Sequence, residues 1–126
     1  MRKVLFIAVF IAVALTALIP AIANPRVAPR EIVLVMRDMA FYLEGSDVPN
    51  PTIAVKRGED IRLVIRNRDR GITHGFSVAA LRGAIDRIEP GTTTSVSFRA
   101  PTETGQHEYV CPPHALMMRG VLLVGE

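Results

Sequence analysis

Between Tyr109 and Gly120 the chain reads Tyr109-Val110-Cys111-Pro112-Pro113-His114-Ala115-Leu116-Met117-Met118-Arg119-Gly120. This stretch holds the only cysteine of the chain, one of three histidines and two of five methionines. A thiolate, an imidazole and a thioether so close together suit a soft metal ion. Two imidazoles and a thiolate in a trigonal plane, with a long axial thioether, make up the ligand set of a blue-copper centre. The segment supplies three of those four donors, so a second imidazole must come from elsewhere. His74 is the leading candidate. His107 is the competitor, but it stands four residues before Cys111 on the same predicted strand. At about 3.3 Å per residue the two are about 13 Å apart, too far to share an ion. His107 is expected in the interior with a hydrogen-bond partner.

The elements that must position these donors are strands. Gln106 to Cys111 alternates so that His107, Tyr109 and Cys111 share one face, which aims the thiol inward. Ile61, Leu63 and Ile65 alternate with Arg62, Val64 and Arg66, one face for a core and one for water. Glu31 to Met36 is a β-branched apolar run, and Met39 to Leu43 is expected to continue it after a bend. Gly45 to Pro51 is a loop by composition. Arg57-Gly58-Glu59-Asp60, between Thr52–Lys56 and Ile61–Asn67, is a hairpin signal. Gly75–Val78, Ser95–Arg99 and Gly120–Val124 read as further strands, whereas Ala79 to Arg87 fits a helical turn or an irregular crossing equally well. Seven or eight short strands with frequent turns and no sustained helical period predict an all-β Greek-key sandwich.

The N-terminus predicts export. Arg2 and Lys3 precede an apolar run from Val4 to Ile19, and Ala21-Ile22-Ala23 is a small-residue cleavage pattern. Residues 1–23 are therefore read as a signal peptide, 24–30 as a proline-punctuated linker and 31–126 as one copper-binding domain. Membrane attachment is expected only if the N-terminal segment is retained, and the predicted location is periplasmic or otherwise extracytoplasmic. The formal charge of +3 from 15 basic and 12 acidic residues falls to +1 once Arg2 and Lys3 leave. No basic tract supports nucleic-acid binding. A lone cysteine in an exported protein cannot close an internal disulfide, which adds weight to its role as a metal ligand.

Cys111-Pro112-Pro113-His114, followed by Met118 and Arg119 to Val124, resembles the C-terminal copper loop and last strand of the cupredoxins, the family of plastocyanin, amicyanin and azurin. Arg57 to Asp60, Ile61 to Asn67 and His74-Gly75-Phe76-Ser77-Val78 resemble the strands that carry that family's first histidine. Glu89-Pro90-Gly91-Thr92 and Gly105 to Tyr109 resemble its later turns. The resemblance implies one copper ion, cycling between Cu(I) and Cu(II), on His74, Cys111, His114 and Met118. Met117 would give the spacing of amicyanin and Met118 that of azurin. Met118 is chosen because in both relatives the ligand methionine directly precedes a basic residue and a glycine, leaving Met117 partly exposed. The chain departs from the family at Gly75, where plastocyanin and azurin carry an asparagine that helps fasten the copper loop. That fastening is expected to be absent or replaced. Pro112 and Pro113 lack N–H groups and cannot donate to the Cys111 sulfur.

Four protein ligands leave no clear coordination position for a substrate, which favours single-electron transfer over catalysis. The expected product is a monomeric carrier that is not an enzyme and meets redox protein partners at the apolar rim around His114. A copper carrier or chaperone, an accessory cupredoxin of a membrane oxidase system and a metal-free structural sandwich are the alternatives. A binuclear centre would need a second cysteine in the loop.

Overall fold

The structure, a computed structural model, describes residues 27–81 and 84–126. The expected signal peptide and residues 24–26 of the linker lie outside the described residues. Nine strands follow in order: β1 Arg30–Arg37, β2 Ala40–Leu43, β3 Thr52–Lys56, β4 Asp60–Asn67, β5 His74–Val78, β6 Ala84–Ile88, β7 Thr93–Arg99, β8 Gly105–Val110 and β9 Arg119–Gly125. They form two sheets, one ordered β2-β1-β4-β7 and the other β3-β9-β8-β5-β6. The pairs β1–β4 and β3–β9 are parallel and the rest antiparallel. This is the all-β sandwich that the strand pattern predicts, with nine strands among the described residues where seven or eight were expected. Among the described residues no helix is long and apolar enough to cross a membrane.

The period-two pattern of β4 explains how the sheets face each other. Ile61, Leu63 and Ile65 are at most 1% exposed and Arg62 between them is exposed, but Val64, expected on the water face, is buried as well. Ile61, Leu63 and Ile65 meet Ile53, Val55, Leu122 and Val124 of the opposite sheet in one core. Burying each such side chain contributes about 1.5–3 kcal/mol relative to leaving it in water. An aromatic cluster closes the core near the end of β8. The Tyr109 ring lies 5.2 Å from Phe41, edge-on at 73°, and 5.7 Å from Phe76 at 30°. Tyr109 also donates its hydroxyl to the Pro51 carbonyl at 2.6 Å, so its polar tip is satisfied inside the core.

Three local expectations are corrected. Met39 to Leu43 does not extend β1: β2 folds back on it antiparallel, with Arg37 opposite Ala40. The two linking residues, Asp38 and Met39, have φ of 52° and 57°, the positive pair that a two-residue hairpin loop requires. The Arg57–Asp60 turn does not close a hairpin either, because β3 pairs with β9 in one sheet and β4 with β1 and β7 in the other. Its donors reach outward, Arg57 N–H to the Gly125 carbonyl and Gly58 N–H to that of Pro101. Alternation makes both flanking strands bury one face, and placing them on opposite sides of the core satisfies both. Finally, the ambiguous Ala79–Arg87 region leads into β6, Ala84–Ile88, an edge strand paired with β5.

Candidate metal centre

Pairing of β5 with β8 creates the site. Ser77 lies opposite Val110 in an antiparallel register, so the start of β5 comes alongside the end of β8. His74 is the first residue of β5, and Cys111 follows the last residue of β8. The chain then turns through a short 3-10 segment, Pro112–His114, before entering β9. Two consecutive prolines suit this turn, because their fixed φ matches it and their missing N–H groups need no partner. The loop closes on itself: Cys111 N–H donates to the Met118 carbonyl at 2.9 Å, and Met118 N–H to that of His114 at 2.9 Å.

One donor atom each from His74, Cys111 and His114 falls within 4.8 Å of the others. The Cys111 Sγ is 3.7 Å from His74 Nδ1 and 3.5 Å from His114 Nδ1, and the two Nδ1 atoms are 3.2 Å apart. Each ring therefore presents the same nitrogen to a common point. His74, Cys111 and Met118 are fully buried, His114 is partly exposed, and Met117 is 54% exposed. Burial pushes the Cys111 thiol up, opposed by N–H bonds from Gly75 and His114. The Gly75 N–H donates to Sγ at 3.3 Å.

Asp69 sets the state of the His74 ring. Its Oδ2 stands 2.8 Å from Nε2. An imidazole that donates Nε2–H to a carboxylate keeps Nδ1 as a free lone pair, the form a metal requires. The same carboxylate accepts the N–H groups of Asp38 and Met39. Desolvation pushes Asp69 up, but the bonds from His74, Met39 and Asp38 hold it below the ordinary aspartate range. Asn67, 1% exposed, anchors the connection that carries both groups. Its Nδ2 donates to the carbonyls of Ile72 and Ile88, and its Oδ1 accepts the Asp69 N–H.

Of the residues expected at the site, His74, Cys111 and His114 converge, and Met118 lies buried at the base of the same loop. His107 is not part of the cluster, but the hydrogen bond expected for it is missing at Nε2, which is buried with no partner. The absent asparagine after His74 has a packing cause. A Cβ on Gly75 would lie 2.9 Å from the Ile85 carbonyl oxygen and 3.2 Å from Pro112 Cδ. From another direction, Asn50 Nδ2 donates a hydrogen bond to the Met117 carbonyl at 2.8 Å. Neither Asp69 nor Asn50 stands out from the sequence pattern. An acid five residues before a candidate ligand, and an asparagine between two prolines, were the available signals.

Residues 5–124 match the family model of a cupredoxin-like domain. None of the curated proteins matches the sequence. Among solved structures, the fold is similar to that of reduced auracyanin from the photosynthetic bacterium Roseiflexus castenholzii. That pair has 17% identity, with 79% of this chain and 99% of that chain covered, and a TM-score of 0.64. Rusticyanin from Thiobacillus ferrooxidans is similar at 16% identity over 75% and 76% of the two chains, TM-score 0.61. Auracyanin A of Chloroflexus aurantiacus, described as a blue copper protein, is similar at 19% identity over 78% and 100%, TM-score 0.60.

Proposed function

Because the chain belongs to the cupredoxin-like family, whose model spans residues 5–124, we propose that it is an exported type 1 copper protein that carries single electrons between redox partners. The observation that carries this reading is the convergence of one sulfur and two ring nitrogens within 4.8 Å at a buried point. His74, Cys111, His114 and the thioether of Met118 would hold the copper ion. Copper bound by this donor set supplies a one-electron couple between its two oxidation states. The chain's own residues do the rest. Asp69 fixes the His74 tautomer, the Gly75 N–H withdraws density from the sulfur, and the prolines stiffen the loop between two ligands. A rigid ligand frame keeps rearrangement between the two valences small.

His114 is the ligand that reaches the surface, and exposed Pro112, Pro113, Leu116 and Met117 surround it. A small apolar rim of this kind fits brief docking of a redox partner, since weak electron-transfer contacts are typically at the small end of interface size. Complete burial of His74 and Cys111 speaks against a carrier that hands its metal over readily. Voltammetry of the copper-loaded protein tests the reading. A reversible one-electron wave is expected, with its potential moved by Met118→Leu and left in place by Met117→Leu. An irreversible wave, or the opposite response of the two methionines, would contradict it.

A further inference from the structure

Resting on that copper reading, we propose that Asn50 is a positioning residue for the metal loop, holding the peptide that precedes Met118 against the β2–β3 connection. Asn50 sits between Pro49 and Pro51 with φ of 49°, a left-handed conformation that asparagine tolerates better than most residues. Its backbone N–H donates to the Phe41 carbonyl at 2.7 Å, and its Oδ1 accepts the Phe41 N–H at 3.2 Å. The remaining end of the amide, Nδ2, donates to the Met117 carbonyl 67 residues further along the chain. From this left-handed residue the backbone N–H and the amide oxygen meet β2 while the amide nitrogen meets the loop.

The consequence falls on Met118. The Met117 carbonyl belongs to the peptide unit whose N–H is that of Met118, and that N–H is bonded to His114. The Met118 carbonyl in turn accepts the Cys111 N–H. With these groups fixed, the backbone that carries the Met118 side chain cannot rotate independently of Cys111. The bonds to His114 and Cys111 only tie the loop to itself, whereas Asn50 ties it to the sandwich. Pro51, the next residue, accepts the Tyr109 hydroxyl just before Cys111. One connection thus grips the strand entering the loop and the segment leaving it. Gly75, on the other side of the sulfur, has no side chain to do this.

The test compares wild type with Asn50→Gly, which keeps the left-handed backbone and removes the amide, and Asn50→Asp, which keeps the acceptor for Phe41 N–H and removes the donor to Met117. Each is loaded with Cu(II), its visible and electron paramagnetic resonance spectra are recorded, and copper release to excess chelator is timed. Both variants are expected to release copper about tenfold faster, the lower end of what outer-shell partners of metal ligands contribute, with altered copper hyperfine splitting. Wild-type spectra and release rates in both variants would overturn the proposal, as would a fall in urea midpoint alone. If wild type shows no intense thiolate-to-copper band, the copper reading has failed instead. Amide exchange at Met118 in the metal-free protein then decides on the latch: acceleration in both variants supports it, and unchanged exchange removes it.

Discussion

The carboxylate of Asp69 takes the Nε2–H of His74 at 2.8 Å and, with the same two oxygens, the N–H groups of Asp38 and Met39 at 2.7 and 3.2 Å. A hairpin turn with two consecutive positive-φ residues and the imidazole of His74 are thereby held by one side chain. The turn needs that acceptor, because a methionine at φ 57° has no intrinsic preference for its conformation. The imidazole needs it to keep its Nδ1 lone pair directed at Cys111 and His114.

Removing the carboxylate should therefore be felt twice. Asp69→Ala is expected to destabilise the metal-free fold by about 1–3 kcal/mol, the cost of leaving partly buried donors unpaired. Met39→Gly should be neutral or slightly stabilising, since glycine accepts positive φ freely. Urea unfolding of the two variants checks this ordering. In the copper-loaded protein, Asp69→Asn should raise the reduction potential, because an imidazole without a carboxylate partner is a weaker donor to Cu(II).

Two glycines are fixed by close approach, and a third is not. A Cβ at Gly120 would fall 2.3 Å from the Tyr109 ring, which crosses β9 at that register position, and one at Gly75 would meet backbone oxygen at 2.9 Å. Gly125 has its nearest neighbour at 4.0 Å. Overpacking of this kind costs about 1–3 kcal/mol, occasionally more. Gly120→Ala should be the most destabilising, Gly75→Ala next, and Gly125→Ala within about 0.5 kcal/mol of wild type. Thermal melts of the metal-free variants provide the comparison.

Glu59 links the start of β1 to the turn between β3 and β4. It accepts Arg30 Nε at 2.7 Å and the Lys56 N–H at 2.8 Å. The bonds from Arg30, against desolvation and with help from Lys56, hold its carboxyl below the usual glutamate range. A depressed acid means that the unfolded chain binds the proton more readily. Its contribution is complete above the unfolded value of about 4.3 and disappears as the pH falls through the lower folded value. Glu59→Gln should thus cost up to about 1 kcal/mol at neutral pH, because the pair is partly exposed. Urea midpoints should differ at pH 7 and converge in strong acid.

The parts of the fold that follow from local chemistry were legible in the chain. Alternation in β4 marks most of its buried face, and Cys111 and His114 were singled out by residue type alone and do meet His74. Partner choice between strands was not legible. Residues 57–60 carry a turn signature, but whether the flanking strands pair or diverge depends on the core that both must cover. The same holds for β6, an edge strand whose exposed Ala84, Asp86 and Arg87 leave little apolar alternation to read. Asp69 and Asn50 were missed for a related reason. Asn50 bonds a carbonyl 67 residues further along the chain, and Asp69 ties the nearby His74 to a turn 30 residues before it, links that spacing does not record.

Pro113 offers a test of how the loop sets the copper potential. Among the described residues the sulfur of Cys111 takes backbone N–H density from Gly75, and the prolines that follow have none to give. Pro113→Ala would open a donor two residues after the cysteine. Added hydrogen bonding to the sulfur favours Cu(I), so the potential should rise. A fall or no change in voltammetry would show that the new N–H does not reach Sγ.

The most direct measurement is the optical and electron paramagnetic resonance spectrum of the chain from Asn24 to Glu126 after addition of one equivalent of Cu(II), taken for wild type and for Cys111→Ser. An intense visible thiolate-to-copper band with a narrow copper hyperfine pattern is expected in wild type, with the band abolished by the substitution. A wild-type protein that binds no Cu(II), or one whose spectrum is indifferent to loss of the Cys111 sulfur, would contradict the assignment of this cluster as a blue-copper centre.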